Sequence, residues 1–298
     1  ALGFPVVLKA VAGGGGKGMR VVSDAKDLPA AFEAASREAE SAFGDGAIYV
    51  EKYLERPRHI EIQVLGDQSG AIVHLGEREC SIQRRHQKLI EEGPAPGVDA
   101  KIRDGVCESA ASLIRNAKYS GAATVEFLMD RQQHFYMLEV NTRVQVEHPV
   151  TEAITGVDIV KESIRVAAGE PLSIQQEDVR ISGHAIECRI NAEDPRTFMP
   201  SPGTVTFYHA PGGNGVRVDS HLYSGYKVPP NYDSLVGKLI TYGASRDEAL
   251  ARMRNAIDEL VVDGIKTNTP LHRELVRDPG FCKGGVNIHY LEHKLGLK

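Results

Sequence analysis

Five polar side chains recur at every second position near the middle of the chain. They are Glu139, Asn141, Arg143, Gln145 and Glu147, and they alternate with Val140, Thr142, Val144 and Val146. An alternation of period two places all five on one side if the backbone stays extended. Carboxylate, amide and guanidinium groups on one side could bind a metal ion or an anion, or could form the solvated face of a strand.

The segment before these residues indicates a β-hairpin that sets two carboxylates opposite each other. For a four-residue loop over residues 131–134, the expected cross-strand pairs are Asp130–Phe135, Leu128–Met137 and Glu126–Glu139. Opposed like charges destabilise a strand pair, so something must offset them. Mg²⁺ favours carboxylates combined with substrate phosphates. We therefore predict a metal–nucleotide site at Glu126, Glu139 and Asn141.

A glycine run near the start of the chain lies between two predicted strands, 4–11 and 19–22. The sequence Gly13 to Gly16 is followed by Lys17 and Gly18. A Walker A loop needs Ser or Thr after its lysine and then a helix, so the run is not a P-loop. A glycine loop between strands suits closure over phosphates, with Lys9 in the preceding strand pointing at them. The alternatives are a flexible linker and a lysine that faces water.

A second group of polar and basic residues follows a predicted hairpin. The stretch SIQRRHQK supplies Gln83, Arg84, Arg85, His86 and Lys88. A solvated run of charges is one interpretation. The mixture of Gln, His and Lys is better suited to phosphate and ribose contacts.

Composition limits the class of protein. The 298 residues carry a formal net charge of -5 and 42% hydrophobic residues, which is typical of a globular protein and does not favour a nucleic-acid or membrane partner. Four scattered cysteines indicate buried thiols in a reducing compartment, so we expect a cytoplasmic location. Length suggests two domains. A helix predicted over residues 151–168 precedes the polar stretch PLSIQQEDV, which is the best boundary.

Several long motifs resemble those of the biotin carboxylases, which are ATP-grasp enzymes. They are FPVVLKAVAGGGGKGMRVV, EKYLERPRHIEIQVLGD, ECSIQRRHQKLIEEGPAPG, EVNTRVQVEHPVTEAITGVDIV and GHAIECRINAEDP, and the likeness continues to the C-terminus. The resemblance implies an α+β ATP-grasp fold, with a partial glycine-rich lid (residues 1–51) and an antiparallel-sheet core (52–180). A biotin carboxylase C-terminal domain would follow (181–298). The bacterial subunit of acetyl-CoA carboxylase is the nearest type, and pyruvate and propionyl-CoA carboxylases contain the same domain.

The resemblance also implies a role for individual residues. Those implied for ATP are Lys9, Gly14, Gly15, Gly16, Glu51, Lys52, Leu54, His59, Gln83, His86, Glu126 and Glu139. Those implied for Mg²⁺ or Mn²⁺ are Glu126, Glu139 and Asn141. Those implied for bicarbonate or biotin are Lys88, Arg143, Gln145, Val146 and Arg189. Glu147 would be the general base, with Lys88, Arg143 and Arg189 as further catalytic residues.

The implied reaction is the ATP-dependent carboxylation of biotin by bicarbonate through carboxyphosphate. The implied partners are a biotin carboxyl carrier protein, carboxyltransferase subunits and a second copy of the chain, in fatty-acid synthesis. The family carries a further N-terminal domain, so the resemblance implies that the chain starts within the lid, and we expect weak or no activity from it alone. Other ATP-grasp ligases and an inactive structural or dimerising fragment are the alternatives.

Overall fold

The computed structural model describes residues 2–13 and 18–297. The residues predicted at the tip of the glycine loop, Gly14, Gly15, Gly16 and Lys17, lie outside this description. The chain divides into two compact units. The first contains residues up to 57 together with 84–87, and the second contains 58–83 and the residues from 88 onward. The predicted domain boundaries after residues 51 and 180 stay predictions.

The first unit is a three-stranded antiparallel sheet with one helix. Its strands are β1 (Val6–Ala10), β2 (Met19–Val22) and β3 (Ile48–Lys52), in the order β2-β1-β3. Helix α1 (Leu28–Phe43) packs on this sheet, with Ala35 against Val6 and Leu8. A short 3₁₀ turn, Ala25–Asp27, precedes the helix. The two strands that flank the glycine run are therefore confirmed.

Within the described residues, the second unit contains one eight-stranded sheet and two short strand pairs. Its strands are β4 (Arg58–Gly66), β5 (Ile72–Arg84), β6 (Gln87–Gly93), β7 (Gly121–Met129), β8 (Phe135–Asn141), β9 (His184–Asn191), β10 (Gly203–Thr204), β11 (Phe207–His209), β12 (Val216–Ser220), β13 (Lys227–Val228), β14 (Leu235–Gly243) and β15 (Val261–Asp263). The large sheet has the order β12-β14-β9-β6-β5-β4-β7-β8, and β10 pairs with β13 and β11 with β15.

Seven helices of the described residues cover the second unit. They are α2 (Ala100–Asn116), α3 (His148–Thr155), α4 (Ile159–Ala167), α5 (Arg246–Glu259), α6 (Thr269–Leu275), α7 (Pro279–Lys283) and α8 (Tyr290–Lys294). Ile62 and Val64 of β4 pack with Cys107 and Ile114 of α2, so the apolar alternation of β4 faces a helix. Its other face is polar. Among the described residues, no helix combines the length and apolar character that crossing a bilayer requires.

The hairpin of β7 and β8 has the predicted pair of carboxylates away from its loop, and a different register from the predicted one next to the loop. Glu126 lies opposite Glu139, as predicted. Leu128 pairs with Tyr136, and Met129 with Phe135, so the other two predicted pairs are wrong. Asp130 and His134 close a three-residue loop through the Asp130 amide and the His134 carbonyl, with Gln133 at φ 62. A bulge beside Phe127 then restores the register.

The helix predicted over residues 151–168 is two helices. Gly156 ends α3 in the left-handed conformation, at φ 72, and Asp158 caps α4 by accepting from the Lys161 amide. Glycine adopts this conformation without a steric penalty, which explains the break. The first helix also begins three residues earlier than predicted, at His148, so Glu147 is its N-cap residue.

Candidate active site

Lys88 lies among three carboxylates in the second unit. Its Nζ is 2.5 Å from Glu61 Oε2, 2.8 Å from Glu126 Oε1 and 2.7 Å from Glu147 Oε1. Burial alone would lower the pKa of Lys88, but the charges of Glu61 and then Glu147 and Glu126 raise it well above its ordinary value. The ammonium group is therefore fixed in its charged form and joins three separate elements, β4, β7 and the start of α3.

Glu61 is held from its other side by a completely buried arginine. Arg78 donates from Nε to Glu61 Oε1 at 2.6 Å and from NH1 to Thr151 Oγ1 of α3 at 2.8 Å. Burial would raise the pKa of Glu61, but Lys88 and Arg78 lower it well below its ordinary value. The arginine thus connects the carboxylate that orients Lys88 with α3, the helix whose N-cap residue is Glu147.

The predicted metal ligands lie together at one end of the large sheet. The amide of Asn141 donates to Glu126 Oε1 at 3.0 Å and to Glu139 Oε1 at 3.3 Å, so it bridges the opposed carboxylates. The repulsion that the sequence indicated is offset here by this amide and by Lys88. Rotation of the amide would turn its oxygen toward the same space and give three oxygen donors, which is a set that suits Mg²⁺ or Mn²⁺.

His59 completes the buried side of this group. Its Nε2 is 3.2 Å from Glu126 Oε2 and 3.8 Å from Glu61 Oε2. Burial lowers the pKa of His59, but the neighbouring carboxylates of Glu126 and Glu61 outweigh burial and raise it. Burial would raise the pKa of Glu126, but His59 and Lys88 lower it to about 2. Glu126 is therefore an anion at neutral pH, as a metal ligand must be.

Glu147 is fixed by a cation on each oxygen. Lys88 Nζ approaches Oε1, and Arg189 NH2 donates to Oε2 at 2.9 Å. Arg189 donates from Nε to Glu91 Oε1 at 2.6 Å. The predicted catalytic residues Lys88, Glu147 and Arg189 therefore form one continuous group.

The remaining predicted anion-binding residues are placed differently. Gln145 is buried and donates to Glu126 Oε1 at 3.0 Å. The carbonyl of Val146 accepts from Lys238 Nζ at 2.9 Å. Arg143 is exposed and donates to Val144 O at 3.2 Å and Asn141 Oδ1 at 3.4 Å. Its guanidinium therefore lies at the solvent side of the metal-ligand group, because the backbone leaves the extended conformation after Asn141.

The predicted ATP-binding residues are divided between the units. Those in the first unit are Lys9, Glu51, Lys52, Leu54 and His86, and those in the second are His59, Gln83, Glu126 and Glu139. Within the first unit Lys9 forms an ion pair with Glu51, and Lys52 Nζ donates to Phe4 O at 3.0 Å. Leu54 is half-buried and His86 is exposed. Within the second unit Gln83 is buried and donates to Cys80 O at 3.0 Å.

Five charged residues of this site were missed in the sequence. They are Glu61, Arg78, Glu91, Glu187 and Lys238. A signal for two of them exists: His59, Glu61 and Gln63 alternate with apolar residues in β4, as Glu187, Arg189 and Asn191 do in β9. Polar positions that alternate with buried apolar ones would have predicted a second polar face. Arg78 and Lys238 carry no comparable pattern.

Comparisons with known proteins found two matching family models and several similar proteins. Residues 1–175 match the family of the carbamoyl-phosphate synthase L chain, ATP binding domain, and residues 187–293 match the biotin carboxylase C-terminal domain. The chain is 66% identical over 296 residues to biotin carboxylase of Pseudomonas aeruginosa and 53% identical over 293 residues to biotin carboxylase 1 of Bacillus subtilis. These matches cover 99% and 98% of the chain. The chain belongs to the biotin carboxylase family.

Solved structures of the biotin carboxylase family share its fold. The biotin carboxylase of Campylobacter jejuni, in a β,γ-ATP complex, is 50% identical with a TM-score of 0.94. The biotin carboxylase domain of Hydrogenobacter thermophilus 2-oxoglutarate carboxylase, a dimer with MgADP, ADP and bicarbonate, is 48% identical with a TM-score of 0.93. Each match covers 98% of this chain and 65% of the other. The chain spans 66% of the length of the Pseudomonas biotin carboxylase and 65% of the Bacillus one.

Proposed function

We propose that this chain contributes the catalytic centre for ATP-dependent carboxylation of biotin on a biotin carboxyl carrier protein, with bicarbonate as the carbon source. The observation that carries the proposal is the position of Glu147 between Lys88 and Arg189, beside three oxygen donors that suit a divalent cation. A carboxylate base flanked by two cations fits an anionic substrate that must lose a proton.

Each residue of this group has a separate task in the proposed reaction. Glu147 accepts the proton of bicarbonate, while Lys88 and Arg189 hold the resulting anion against the base. The bicarbonate oxygen attacks the γ-phosphorus of ATP, ADP leaves, and carboxyphosphate forms. Arg143 would orient the anion from the solvent side, and the buried Gln145 from the interior. Carboxyphosphate then breaks down to CO₂ and phosphate, the phosphate takes the ureido N–H proton of biotin, and Arg189 stabilises the negative charge on biotin as its nitrogen bonds to CO₂.

The nucleotide contacts are proposed from the resemblance to the biotin carboxylases. Lys9 and the residues of the glycine loop are proposed for the phosphates, and Glu51, Lys52 and Leu54 for the adenine. His59, Gln83 and His86 are proposed for ribose and phosphate. Glu126, Glu139 and Asn141 would hold Mg²⁺ or Mn²⁺, which neutralises phosphate charge during phosphoryl transfer when it is bound.

The wider context is proposed from the relatives. We propose that the chain belongs to the biotin carboxylase of an acetyl-CoA carboxylase. That enzyme would act in the cytoplasm as a homodimer, together with carboxyltransferase subunits, in fatty-acid synthesis. A second candidate is the corresponding component of a pyruvate carboxylase, because the chain is 52% identical to one of the pyruvate carboxylase subunits of Methanothermobacter thermautotrophicus. Incubation of carboxylated carrier protein with each carboxyltransferase would separate the two.

The test is the transfer of labelled bicarbonate to biotin, with ATP and Mg²⁺, by the complete protein, in its wild-type form and with substitutions in this chain. Glu147→Gln keeps the shape of the base and removes its proton-accepting charge, so we expect a loss of carboxybiotin formation of about 10²–10⁴-fold. Glu170→Gln, on an exposed carboxylate, is the matched control and should keep wild-type activity. ATP and Mg²⁺ binding, measured by calorimetry, should survive in both variants.

Two outcomes would contradict the proposal. Bound ATP with no labelled carboxybiotin would favour another ATP-grasp ligase. Failure of the wild-type chain to bind ATP, together with stable dimers in sedimentation, would favour a structural module.

A further inference from the structure

Two buried carboxylates face each other across strands β6 and β9. Glu91 and Glu187 are direct cross-strand partners in the antiparallel register, and neither side chain is exposed. Direct partners lie on the same face of a sheet with their Cβ atoms roughly 5 Å apart. Arg189 follows two residues after Glu187 on that face, where it binds both Glu91 and Glu147.

The two cations nearest Glu187 form their hydrogen bonds and ion pairs with other groups. Arg189 donates to Glu91 and Glu147, and Lys238 of β14 lies with Nζ at 2.9 Å from Val146 O and 3.5 Å from Asp219. Within residues 2–13 and 18–297, neither oxygen of Glu187 has a hydrogen-bond donor, and Oε2 of Glu91 has none either. Three carboxylate oxygens therefore lie buried on this face without a donor.

One proton resolves this arrangement. A buried ionised carboxylate without a partner costs so much free energy that it takes up a proton instead, and two neighbouring carboxylates cannot both stay ionised. A proton between the two side chains gives Glu91 Oε2 a donor and makes Glu187 neutral. Glu91 Oε1 stays available to Arg189.

We propose that Glu91 and Glu187 share one proton, and that this acid–carboxylate pair is the positioning element that holds Arg189 against Glu147. The inference deepens the proposed function, because Arg189 is the residue assigned to the substrate anion. The pair fixes Nε, and Glu147 fixes NH2.

Loss of the shared proton changes the balance of forces on Arg189. A second negative charge at the pair attracts the guanidinium toward β6 and away from Glu147. Burial raises the pKa of Glu91 to about 7, because burial and the charge of Glu147 together outweigh the opposing effect of Arg189. Burial and the charge of Glu91 raise the pKa of Glu187 well above its ordinary value. The other charges facing the pair are Lys88 of β6, Arg189 of β9, Lys238 of β14 and Glu147 at the start of α3.

The first measurement is infrared spectroscopy of the whole chain, which needs no catalytic turnover. We expect the carbonyl stretch of a protonated carboxylic acid in the wild type at pH 6, declining as the pH rises through about 7. Glu187→Gln keeps a donor toward Glu91 and removes the shared proton, so the band should vanish. Glu92→Gln, at the neighbouring buried carboxylate of β6, is the matched control and should keep it.

The second measurement is the ¹H–¹⁵N signal of the Arg189 Nε–H group, assigned by its loss in Arg189→Lys. We expect this signal to shift with pH in the wild type together with the infrared band. In Glu187→Gln it should be independent of pH between about 6 and 8, because the amide that the substitution introduces donates to Glu91 Oε2 and so keeps Glu91, the acceptor of Arg189 Nε, ionised throughout this range. A residue with a merely structural role would not move this signal.

The proposal is overturned by either of two results. One is a wild-type infrared spectrum without an acid band that titrates, which requires no variant to fold. The other is an Arg189 Nε–H signal that titrates alike in the wild type and Glu187→Gln. Neither result depends on carboxybiotin formation, so failure of the inference and failure of the proposed function are distinguishable. Because loss of the shared proton draws Arg189 away from Glu147, carboxybiotin formation should fall as the pH rises through about 7 in the wild type and not in Glu187→Gln.

Discussion

Neighbouring residues of β6 show two opposite fates of a buried carboxylate. Glu91 and Glu92 point to opposite faces of the sheet, and both are almost fully buried. Glu92 is met by His184 Nε2 at 2.8 Å and by Arg246 at 2.6 and 3.1 Å. Glu91 has one donor, Arg189 Nε, and a carboxyl group opposite it.

The difference lies in the partners and not in the burial. Burial would raise the pKa of Glu92, but the hydrogen bonds with His184 and Arg246 lower it below its ordinary value. On the other face the same burial, with too few donors, raises the pKa of Glu91 to about 7. The Glu92 face is a permanent ion pair, while the Glu91 face holds a proton near neutral pH. Only the second can respond to the charge of a bound anion.

The largest expected effect is a loss of unfolding free energy on the Glu92 face. Arg246→Met removes two hydrogen bonds from Glu92 and leaves a buried charge that His184 alone must balance. Breaking a buried ion pair from one side costs about 3–5 kcal/mol of unfolding free energy. Urea unfolding followed by circular dichroism measures it, with Arg37→Met on the exposed surface of α1 as the control. A loss below about 1 kcal/mol would show that the two faces are not energetically different.

The next effect is the sign of the pH dependence of stability. Glu91 has a folded pKa above its unfolded value, so its contribution falls as the pH rises from about 4.5 to about 7. Glu92 has a lowered folded pKa, so its contribution is complete above about 4.5 and is lost as the pH falls through the folded value. Glu187→Gln should reduce the loss of unfolding free energy that the wild type shows toward neutral pH. Glu92→Gln should reduce the loss that the wild type shows in acid.

Urea unfolding between pH 3 and pH 8.5 measures both changes in the free energy of unfolding, each expected to be on the order of 1–3 kcal/mol. At pH 5 the Glu187→Gln variant should be nearly as stable as the wild type. Equal slopes in the two variants would contradict the distinction between the faces.

The smallest effect on stability is expected at an exposed carboxylate of the same site. Glu139→Gln removes a proposed metal ligand that water already solvates, so unfolding free energy should change by less than about 0.5 kcal/mol. Affinity for Mn²⁺ with ATP should fall about 10-fold or more, since one of three oxygen donors loses its charge. Calorimetric titration measures this, with the exposed Glu108→Gln as the control. Unchanged Mn²⁺ affinity would remove Glu139 from the proposed metal site.

Sequence reasoning reached the local features of the site and missed its buried supports. The opposition of Glu126 and Glu139 was predictable because alternation and a short loop bring them together. The pairs nearer the loop were wrong, because the side chain of Asp130 accepts from the amides of Gln132 and His134 and closes a shorter loop. A compensating bulge cannot be read from alternation alone.

Arg78 and Glu187 show that burial by distant segments is also hard to predict from the sequence. Arg78 lies between Glu77 and Glu79, so the sequence suggests an exposed strand, while the alternation around Glu187 predicts a polar face without showing which segment covers it. The burial comes from contacts with segments distant in the chain: Thr151 of α3 meets Arg78, and Glu91 lies opposite Glu187. Such pairs follow from the order of strands in the sheet, which no local pattern determines.

The strand order also has a consequence for biosynthesis. Strand β6 is bordered on one side by β9, which is made about ninety residues later, and β9 in turn needs β14. While the ribosome is still translating that interval, the β6 edge presents open amide and carbonyl groups, with Glu91 and Glu92 among them. Those two acidic residues would discourage other nascent chains from pairing there until the correct strand emerges.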